Sequence, residues 1–398
     1  MRYIYADNGA TTRMSDTAVQ AMLPFLQGTY GNPSSLHSVG QAAAEALVKA
    51  RETVARCLHA DPKEITFTSG GSEADNQAIL TAAALGKKKG KTHIISTAIE
   101  HHAVLHTLKK LEKEGFTVTL LPVEPGTGLV TPEQVAAAIT DETCLVSVML
   151  ANNEIGTIEL VKEIAALCRE KKVLIHTDAV QAVGHIPVDV KDLGVDFLAL
   201  SGHKFHGPKG VGALYTRRGI LLQSLIEGGA QERGKRAGTE NLPAIVGMAA
   251  ALEESVKNLD ANMAATAKVR DRLIAGLEGI EHGVLNGARE NRLPGNVNFC
   301  FEGIEGESIL LLLDDRGIAA SSGSACTSGS LDPSHVLLAI GRPHEIAHGS
   351  VRLSIDETVT EDDADYIVEQ LSEVVSYLRG MSPVWRDLVN GKSPFITK

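Results

Sequence analysis

Two stretches decide the fold: Val173-Leu-Ile-His-Thr-Asp-Ala-Val-Gln181 and Phe197-Leu-Ala-Leu-Ser-Gly-His-Lys204. Each begins with an apolar run typical of a buried strand and ends in polar residues that can carry chemistry. Around them, from residue 65 to residue 215, short apolar or β-branched runs alternate with segments of helical period. This alternation predicts βαβ units around a largely parallel sheet, with ligands gathering at the carboxyl ends of its strands.

The predicted strands cover residues 65–68, 93–96, 117–121, 144–149, 173–176, 197–200 and 212–215, with amphipathic stretches at 75–85, 104–114 and 161–171. A mostly helical stretch, 242–277, leads out of the sheet into a smaller unit of α+β type. That unit contains strands at 297–301 and 351–354, helices at 307–316 and 361–378, and a Gly/Ser loop at 321–330. We therefore expect an α/β protein with a mostly parallel seven-stranded sheet in a large domain at 15–255. Residues 1–14 and 256–398 are expected to form the small domain.

Composition excludes several classes of protein. The 398 residues are 43% hydrophobic and 22% charged, as in ordinary globular proteins. The net charge of -11 argues against nucleic acid as a partner, because polyanions are held by clustered Lys and Arg. The five cysteines are sparse and contain no CxxC pair, which indicates a reducing compartment. Neither a secretory signal nor a long apolar span is evident, so we expect a cytoplasmic protein without a membrane segment.

A phosphate site is indicated where the strand at 65–68 ends, in Thr68-Ser-Gly-Gly-Ser-Glu73. Gly70 and Gly71 permit close backbone approach, and a helix that begins near Ser72 offers free N–H groups to an anion. A glycine pair before a helix is a weak signal, and taken alone it favours a tight turn with Ser72 as the helix N-cap.

The two stretches quoted first each contain one candidate for cofactor chemistry. Asp178 follows a buried run, where a carboxylate needs a cation or several donors, and the protonated pyridine of pyridoxal phosphate (PLP) would supply the cation. A helix N-cap is an equally good reading of Asp178 by itself. Lys204 directly follows a strand, where a desolvated amine can attack an aldehyde. Lys209 is its rival, but it lies between Pro208 and Gly210 in turn chemistry.

Several further motifs complete a pattern that extends over nearly the whole chain. They are Asp7-Asn-Gly-Ala-Thr-Thr12, Gly31-Asn-Pro-Ser-Ser-Leu-His37, Glu100-His101, Ala151-Asn-Asn-Glu-Ile-Gly156, Gln231-Glu-Arg233, Ala237-Gly-Thr-Glu-Asn241 and Ser321-Ser-Gly-Ser-Ala-Cys-Thr-Ser-Gly329. With these motifs the chain resembles a group I cysteine desulfurase of the class-V aminotransferase family, most of all the nitrogen-fixation (NifS-type) branch. Gly9 departs from the family, which usually has a second Asn there. The resemblance implies the PLP fold type I and a homodimer with sites at the subunit boundary.

The resemblance also implies roles for individual residues. Lys204 would hold PLP as a Schiff base, Asp178 would pair with the pyridine nitrogen, Gln181 would bond the phenolic oxygen, and His101 would stack on the ring and shuttle protons. The remaining positions are contacts to the phosphate and to the substrate carboxylate. Gly71, Ser72, Ser201 and His203 would surround the phosphate, Thr239 would reach it from the partner subunit, and Asn153 and Arg352 would hold the carboxylate.

Simpler readings exist for two of these residues. His101 precedes His102 and His106, which could belong to a helical metal pair, although no HExxH motif or third ligand is evident. Arg352 lies in Ser350-Val-Arg-Leu-Ser354, where strand alternation by itself favours a charge that points to solvent.

Cys326 decides the predicted chemistry. It lies in a polar Gly/Ser loop, unlike Cys144 and Cys300 in apolar runs, so it is the candidate for a reactive thiol. An exposed loop cysteine is more often incidental, but a loop of this composition lets a thiol move between a cofactor and an outside acceptor.

The predicted function is removal of sulfur from L-cysteine, which gives L-alanine and a persulfide on Cys326. The sulfur would pass to an iron–sulfur scaffold or other acceptor protein, with nitrogenase maturation as one destination. No metal is expected for catalysis, although Cys326 could ligate a transient iron–sulfur cluster. The alternatives are a selenocysteine lyase or aminotransferase on the same scaffold. A non-catalytic nucleotide-binding or scaffold protein is a third alternative, and the lack of GxxxxGK[ST] and GxGxxG motifs weakens it.

Overall fold

A computed structural model describes residues 2–322 and 333–397 of the chain. Its strands are β1 (Ile4–Tyr5), β2 (Ile65–Thr68), β3 (His93–Thr97), β4 (Thr117–Leu121), β5 (Thr143–Ser147), β6 (Leu174–Asp178), β7 (Phe197–Ser201), β8 (Gly212–Thr216), β9 (Gly283–Leu285), β10 (Asn296–Phe301), β11 (Ile318–Ala319) and β12 (Ser350–Ser354). Its helices are α1 (Asp16–Gln27), α2 (Ser38–Cys57), α3 (Gly71–Lys87), α4 (His102–Lys113), α5 (Pro132–Ala138), α6 (Val161–Lys171), α7 (Val190–Leu193), α8 (Gln231–Gly234), α9 (Leu242–Lys257), α10 (Leu259–Leu277), α11 (Gly306–Asp315), α12 (His335–Ala339), α13 (His344–Ala347), α14 (Glu361–Met381) and α15 (Pro383–Val389).

The large sheet has seven strands in the order β2-β8-β7-β6-β5-β3-β4. The pairs β3–β4, β3–β5, β5–β6 and β6–β7 are parallel, whereas β8 runs antiparallel to both β2 and β7. The predicted α/β fold with a mostly parallel seven-stranded sheet is confirmed. The predicted strands also match those observed to within about two residues at each end.

The position of the site follows from this strand order. β6 and β7 are neighbours and parallel, so the residues that follow them meet at one edge of the sheet. Both strands are buried almost throughout, because helices cover both faces of a parallel sheet. The chain therefore brings Asp178, at the end of β6, beside the turn that carries Lys204 after β7.

A second sheet, in the order β12-β10-β9, is antiparallel and belongs to the smaller unit. α10, α11 and α14 contribute to its apolar core, and the parallel pair β1–β11 ties the amino terminus to the same unit. The stretch predicted as mostly helical is two helices, α9 and α10, separated at Asn258.

We propose the domain division 15–255 against 1–14 plus 256–398 from this packing. One apolar core contains residues from Ile4 to Ala6 and from Val269 to Val375. The core beneath the large sheet consists mainly of residues between Ala18 and Leu252. It also includes Val336, Leu337 and Ile340, so α12 packs on the large unit although it follows the proposed boundary in sequence.

None of the helices in the described ranges combines the length and the apolarity that a bilayer crossing requires.

Candidate active site

A cavity of about 320 Å³ opens at the carboxyl edge of the large sheet. Most residues predicted for the site line it. The lining consists of Gly9, Ala10, Gly71, Ser72, Asp75, His101, Met149, Asn153, Asp178, Val180, Gln181, Ser201, His203, Lys204 and Arg352. Its volume is within the range of small-molecule sites.

The Lys204 amine points into this cavity from the turn after β7. Its Nζ donates hydrogen bonds to the backbone oxygens of Gly9, at 2.5 Å, and Ala10, at 2.8 Å. Lys209, the alternative candidate, is exposed and lines a neighbouring cavity instead. The geometry therefore favours Lys204 as the amine of the site.

Asp178 forms the buried acidic end of the cavity, with 5% of its surface exposed. Burial raises the pKa of its carboxyl, against which His101, the N–H of Val180 and Lys204 act to lower it. Oδ1 accepts from Val180 N–H at 2.9 Å. The helix-cap alternative is wrong, because residues 179–189 form turns and bridges and the next helix begins at Val190.

The amino terminus of α3 also lines the cavity, through Gly71 and Ser72. The N-cap is Gly70, no side chain caps the helix, and Ser72 lies in the first turn, so the reading of Ser72 as N-cap is wrong. A β-carbon at Gly71 would lie 2.6 Å from Val180 Cγ2, which is too close for any residue except glycine. This terminus offers backbone N–H groups to an anion.

Ser201 and His203 line both this cavity and an adjoining one of about 400 Å³, which Thr11 also borders. His203 Nδ1 lies 3.1 Å from Thr11 Oγ1. Burial, together with the nearby charges of Lys204 and Lys209, lowers the pKa of His203 to about 4. A neutral imidazole at this position can donate one hydrogen bond to an anion.

His101 and Gln181 are held by backbone groups. His101 is the N-cap of α4, and its Nδ1 accepts from Ala103 N–H at 3.1 Å, so a neutral ring carries its proton on Nε2. Gln181 Nε2 donates to the Gly9 oxygen at 2.9 Å. The Gly9 carbonyl thus joins Gln181 and Lys204. A β-carbon at Gly9 would lie 3.0 Å from Ser354 Oγ, a tight fit for the asparagine that is usual in the family.

Arg352 on β12 is 1% exposed, so the reading that its charge points to solvent is wrong. β12 is a terminal strand of the small sheet, yet all five of its residues are buried. Nη1 donates to the Asn153 backbone oxygen at 3.2 Å and Nη2 to Asp7 Oδ1 at 2.9 Å. Nε has no hydrogen-bond partner among the described residues. A buried donor without a partner indicates a site for an acceptor such as a carboxylate.

One predicted site residue in the described part of the chain does not join this cavity. Thr239 lines a different cavity of about 190 Å³, together with Phe67, Glu232 and Arg236. Cys326 lies outside the described residues.

The predicted helical metal pair does not form a site. The His102 and His106 rings stack with centroids 5.1 Å apart, and His335 lies 4.8 Å from His102. Among the described residues, however, the group with metal-ligand spacing is Asp75, His101 and Asp178, whose ligand atoms lie within 4.8 Å of one another.

Asp75 and the backbone oxygens of Gly9 and Ala10 belong to the site but were not predicted. Asp75 is fully buried, and its one signal in the sequence is an acid among the small apolar residues of α3. Glu154 was not predicted either. Its carboxylate accepts from Ser334 Oγ, and burial raises the Glu154 pKa to about 7. No local pattern signals that contact, because the two residues are 180 positions apart.

The residues of the cavity fit PLP. A buried carboxyl with a raised pKa suits a pyridinium, a glycine-lined helix terminus suits a phosphate, and a lysine amine between them suits an aldehyde. The donor at Arg352 Nε suits the carboxylate of an amino-acid substrate.

Comparison with known proteins agrees with this geometry. Residues 4–367 match the aminotransferase class-V family. Cysteine desulfurase IscS of Clostridium botulinum is 55% identical over 394 residues, 98% of this chain and 99% of that protein. Cysteine desulfurase NifS of Azotobacter vinelandii is 48% identical over 387 residues, which cover 97% and 96% of the two chains. A solved structure titled NIFS-LIKE PROTEIN superposes with a TM-score of 0.89 at 40% identity and covers 95% of this chain and 100% of that one.

The chain belongs to the class-V aminotransferase family, whose members of this fold use PLP. Within that family it is a PLP-dependent cysteine desulfurase.

Proposed function

We propose that the 320 Å³ cavity is where L-cysteine loses its sulfur, and that Cys326 takes up that sulfur as a persulfide. The observation that carries this proposal is the convergence of three groups on one cavity. They are the amine of Lys204, the buried carboxyl of Asp178 and the guanidinium of Arg352.

PLP, when bound, withdraws electrons from the α-carbon of the substrate. Asp178 would pair with the pyridine nitrogen and keep it cationic, and the amino terminus of α3 with Ser72, Ser201 and His203 would hold the phosphate. Lys204 retains the cofactor and then moves the α-proton of the substrate.

Arg352 and Asn153 hold the carboxylate of the substrate. The Arg352 Nε that has no partner among the described residues offers one donor, and the two Nη groups are fixed by Asn153 O and Asp7. A guanidinium oriented in this way binds a carboxylate in a defined direction. His101 and Gln181 line the same cavity. With PLP bound, His101 would stack on the ring and Gln181 would hydrogen-bond to its phenolic oxygen.

The sulfur step belongs to Cys326. Its thiolate attacks the sulfur of the substrate, and a new S–S bond forms as the carbon–sulfur bond breaks. The electron pair of that bond stays with carbon, which takes up a proton, so the products are L-alanine and the Cys326 persulfide. No external oxidant or reductant is required.

We also propose a cytoplasmic homodimer in which Thr239 reaches the phosphate of the partner's site. Two observations support it: Thr239 lies outside the cavity of its own chain, and Leu26, Tyr30 and Leu36 are 58%, 76% and 91% exposed. Exposed apolar side chains of this size in one region are typical of an interface. The persulfide would then supply sulfur to an acceptor protein for iron–sulfur cluster assembly.

The first test is borohydride reduction of the purified protein, followed by mass spectrometry to find the modified residue. The second test is product analysis of a Cys326→Ala variant. The expected results are a reduced cofactor adduct on Lys204 and loss of alanine formation from L-cysteine in the variant, with cofactor binding retained. An adduct on another lysine, or full activity of the variant, would overturn the proposal. Alanine without a keto-acid requirement distinguishes a desulfurase from an aminotransferase.

The dimer has its own test. Sedimentation should give twice the mass of the chain, and Thr239→Val should weaken cofactor retention without changing that mass. A monomer with full cofactor content would contradict it.

A further inference from the structure

A second buried acid lines the same cavity close to Asp178 and has no part in the proposed mechanism. Asp75 on α3 is 0% exposed, and its oxygens belong with those of Asp178 to a group of ligand atoms within 4.8 Å. Neither Asp75 oxygen has a hydrogen-bond partner among the described residues. Two buried carboxylates this close cannot both be ionised without a large electrostatic cost.

The neighbour of Asp75 on its other side is a neutral histidine. His176 Nε2 lies 3.3 Å from Asp75 Oδ1, and both side chains are fully buried. His176 Nδ1 contacts Ser147 Oγ at 2.9 Å. Burial lowers the pKa of His176 to about 3, so the ring carries a single proton at neutral pH and offers one acceptor nitrogen.

The two side chains belong to elements that carry opposite ends of the cofactor site. Asp75 lies on α3, whose first turn contains Gly71 and Ser72 at the phosphate end. His176 lies on β6, two residues before Asp178 at the pyridine end. His176 Nε2, like both Asp75 oxygens, has no hydrogen-bond partner among the described residues, so the two groups face each other at 3.3 Å with their hydrogen-bonding capacity unused. A hydrogen bond between them would tie the two ends of the site together.

We propose that Asp75 is a positioning residue that keeps its proton and donates it to His176 Nε2. This hydrogen bond between two neutral side chains joins the phosphate end of the cofactor site to the pyridine end. It also leaves Asp178 as the negative charge next to the pyridine ring. The inference rests on the proposed function, since it requires that PLP occupies the cavity.

The electrostatic surroundings agree with a protonated Asp75. Burial raises the pKa of Asp75 well above its usual value, and the Asp178 and Glu100 carboxylates raise it further. Burial likewise raises the pKa of Glu100 to about 8. Burial also raises the pKa of Asp178, but His101, the N–H of Val180 and Lys204 oppose that rise. The causes that act on Asp75 all raise its pKa, so of the two acids Asp75 is the one that more readily keeps its proton.

The test compares two substitutions of Asp75 in the holoenzyme. Asp75→Asn is neutral and of the same shape, and its amide N–H can donate to His176, so it should preserve this hydrogen bond. Asp75→Ala removes the donor, and the loss of one buried hydrogen bond corresponds to about a tenfold change. The rate at which dialysed holoenzyme loses its cofactor absorbance should stay within about twofold of the parent for Asn and rise about tenfold for Ala.

Thr81→Ala is the matched control. Thr81 is on the same helix, is 1% exposed, and accepts from Gln223 N–H at 3.2 Å, away from the cavity. The Thr81→Ala variant should have a lower free energy of unfolding but should not lose its cofactor faster than the parent. An equal effect of Thr81→Ala on cofactor loss would show that damage to α3 alone is sufficient and would overturn the inference.

Two spectroscopic measurements show whether Asp75 is protonated or ionised. The pH midpoint of the cofactor absorbance should be unmoved in Asp75→Asn, whereas loss of a buried negative charge nearby would shift it by about one unit or more. The infrared difference between parent and Asp75→Asn should contain a protonated carboxylic acid band. Carboxylate bands, or a midpoint shift in the Asn variant, would overturn the inference.

Two further outcomes are distinguishable. If the parent carries no reduced adduct on Lys204, the proposed function fails and this inference fails with it. If the adduct is present but Asp75→Ala retains its cofactor like the parent, only the inference fails. A divalent ion found in the parent and lost in Asp75→Asn would also overturn it, because the two carboxylates would then be metal ligands.

Discussion

Two regions of the molecule contain clustered charged side chains: the face between α10 and α14, and the floor of the cofactor cavity, which consists of Asp75 and Arg352. The two regions differ in how exposed these side chains are and in whether their polar atoms have partners. On the helical face, Arg272 contacts Asp365 at 2.6 Å and Glu361 at 3.2 Å, and all three side chains are between 39% and 54% exposed. At the cavity floor, Asp75 and Arg352 are at most 1% exposed and retain polar atoms without a partner among the described residues.

This difference between exposed and buried charged groups helps to locate the functional site of the chain. Exposed pairs are screened by water and salt, so they add little stability and little specificity. A buried polar atom without a partner costs free energy in the folded state, and such atoms persist mainly where a ligand completes them. Buried polar atoms without a partner coincide with the cavity at Asp75 and Arg352, although among the described residues they also occur away from it, for example at Glu159 and Thr216.

The largest expected effect comes from an ion pair that is buried and in which the cation and the carboxylate hydrogen-bond to each other. Arg51 donates to Glu232 at 2.6 and 2.7 Å, and their side chains are 12% and 2% exposed. Arg51→Met should lower the free energy of unfolding by about 3 kcal/mol, because Glu232 is left buried without its cation. Urea denaturation measures this, with the exposed pair variant Arg56→Met as the control. Equal losses in the two variants would contradict the role of burial.

Arg352→Lys sharpens the comparison at the cavity floor. Lysine keeps the charge but loses the planar fork, so KM for L-cysteine should rise about 10- to 100-fold with a smaller change in kcat. Steady-state kinetics at several cysteine concentrations measure the two separately, and Arg272→Lys serves as a control on the exposed face. An unchanged KM would remove Arg352 from carboxylate binding.

A buried acid away from the cavity tests the same rule through pH. Glu159 is 4% exposed, its Oε2 accepts from Val130 N–H at 2.9 Å, and burial raises its pKa from 4.5 to about 8. Since the folded-state pKa is raised, the stability from this group is complete below about pH 4.5 and is lost as pH rises to about 8. The free energy of unfolding should fall by about 1.4 kcal/mol per pH unit across that window for this group.

Glu159→Gln should remove this part of the pH dependence, as measured by urea denaturation at pH values from 5 to about 8. The exposed Glu163 on α6 provides the control, since Glu163→Gln should leave the slope unchanged. Parallel curves for the parent and Glu159→Gln would show that Glu159 does not titrate in this window.

The smallest effect is expected on the helical face. Arg272→Ala breaks both exposed contacts, yet the melting temperature should change little, and the change should vanish in about 1 M salt. Calorimetry at low and high salt measures it. A large loss that persists in high salt would mean that this network behaves like the buried pairs and would remove the distinction between the two regions.

Much of the fold and part of the candidate site could be predicted from local pattern. The apolar runs before Asp178 and Lys204 predicted β6 and β7, because a strand buried on both faces needs consecutive apolar residues. The same reasoning failed at Arg352, where alternation predicted exposure. β12 pairs with β10 along one edge and forms bridges through Ser354 to Asp7 and through Arg352 to Ser321, and all five of its residues are buried, so alternation along the strand does not report exposure.

Local readings of caps failed for a related reason. Both Ser72 and Asp178 are residue types that favour the helix N-cap, and each lies where a helix was expected to begin. In the structure α3 begins at Gly71, and no helix follows Asp178 directly. Capping preferences are worth about 1 kcal/mol each, and tertiary packing of the turn against its neighbours exceeds that amount.

The sequence by itself determined the alternating α/β order, the strand ends at which polar residues fall, and the family to which the chain belongs. Only the tertiary structure decided which of those residues meet. The Lys204 amine contacts Gly9 and Ala10, which are 195 and 194 positions away, and Asp75 meets His176 across the interface of α3 with β6. Periodicity reports the burial of a residue along its own element. The partner of a buried polar atom depends on how separate elements pack, and no local pattern contains that information.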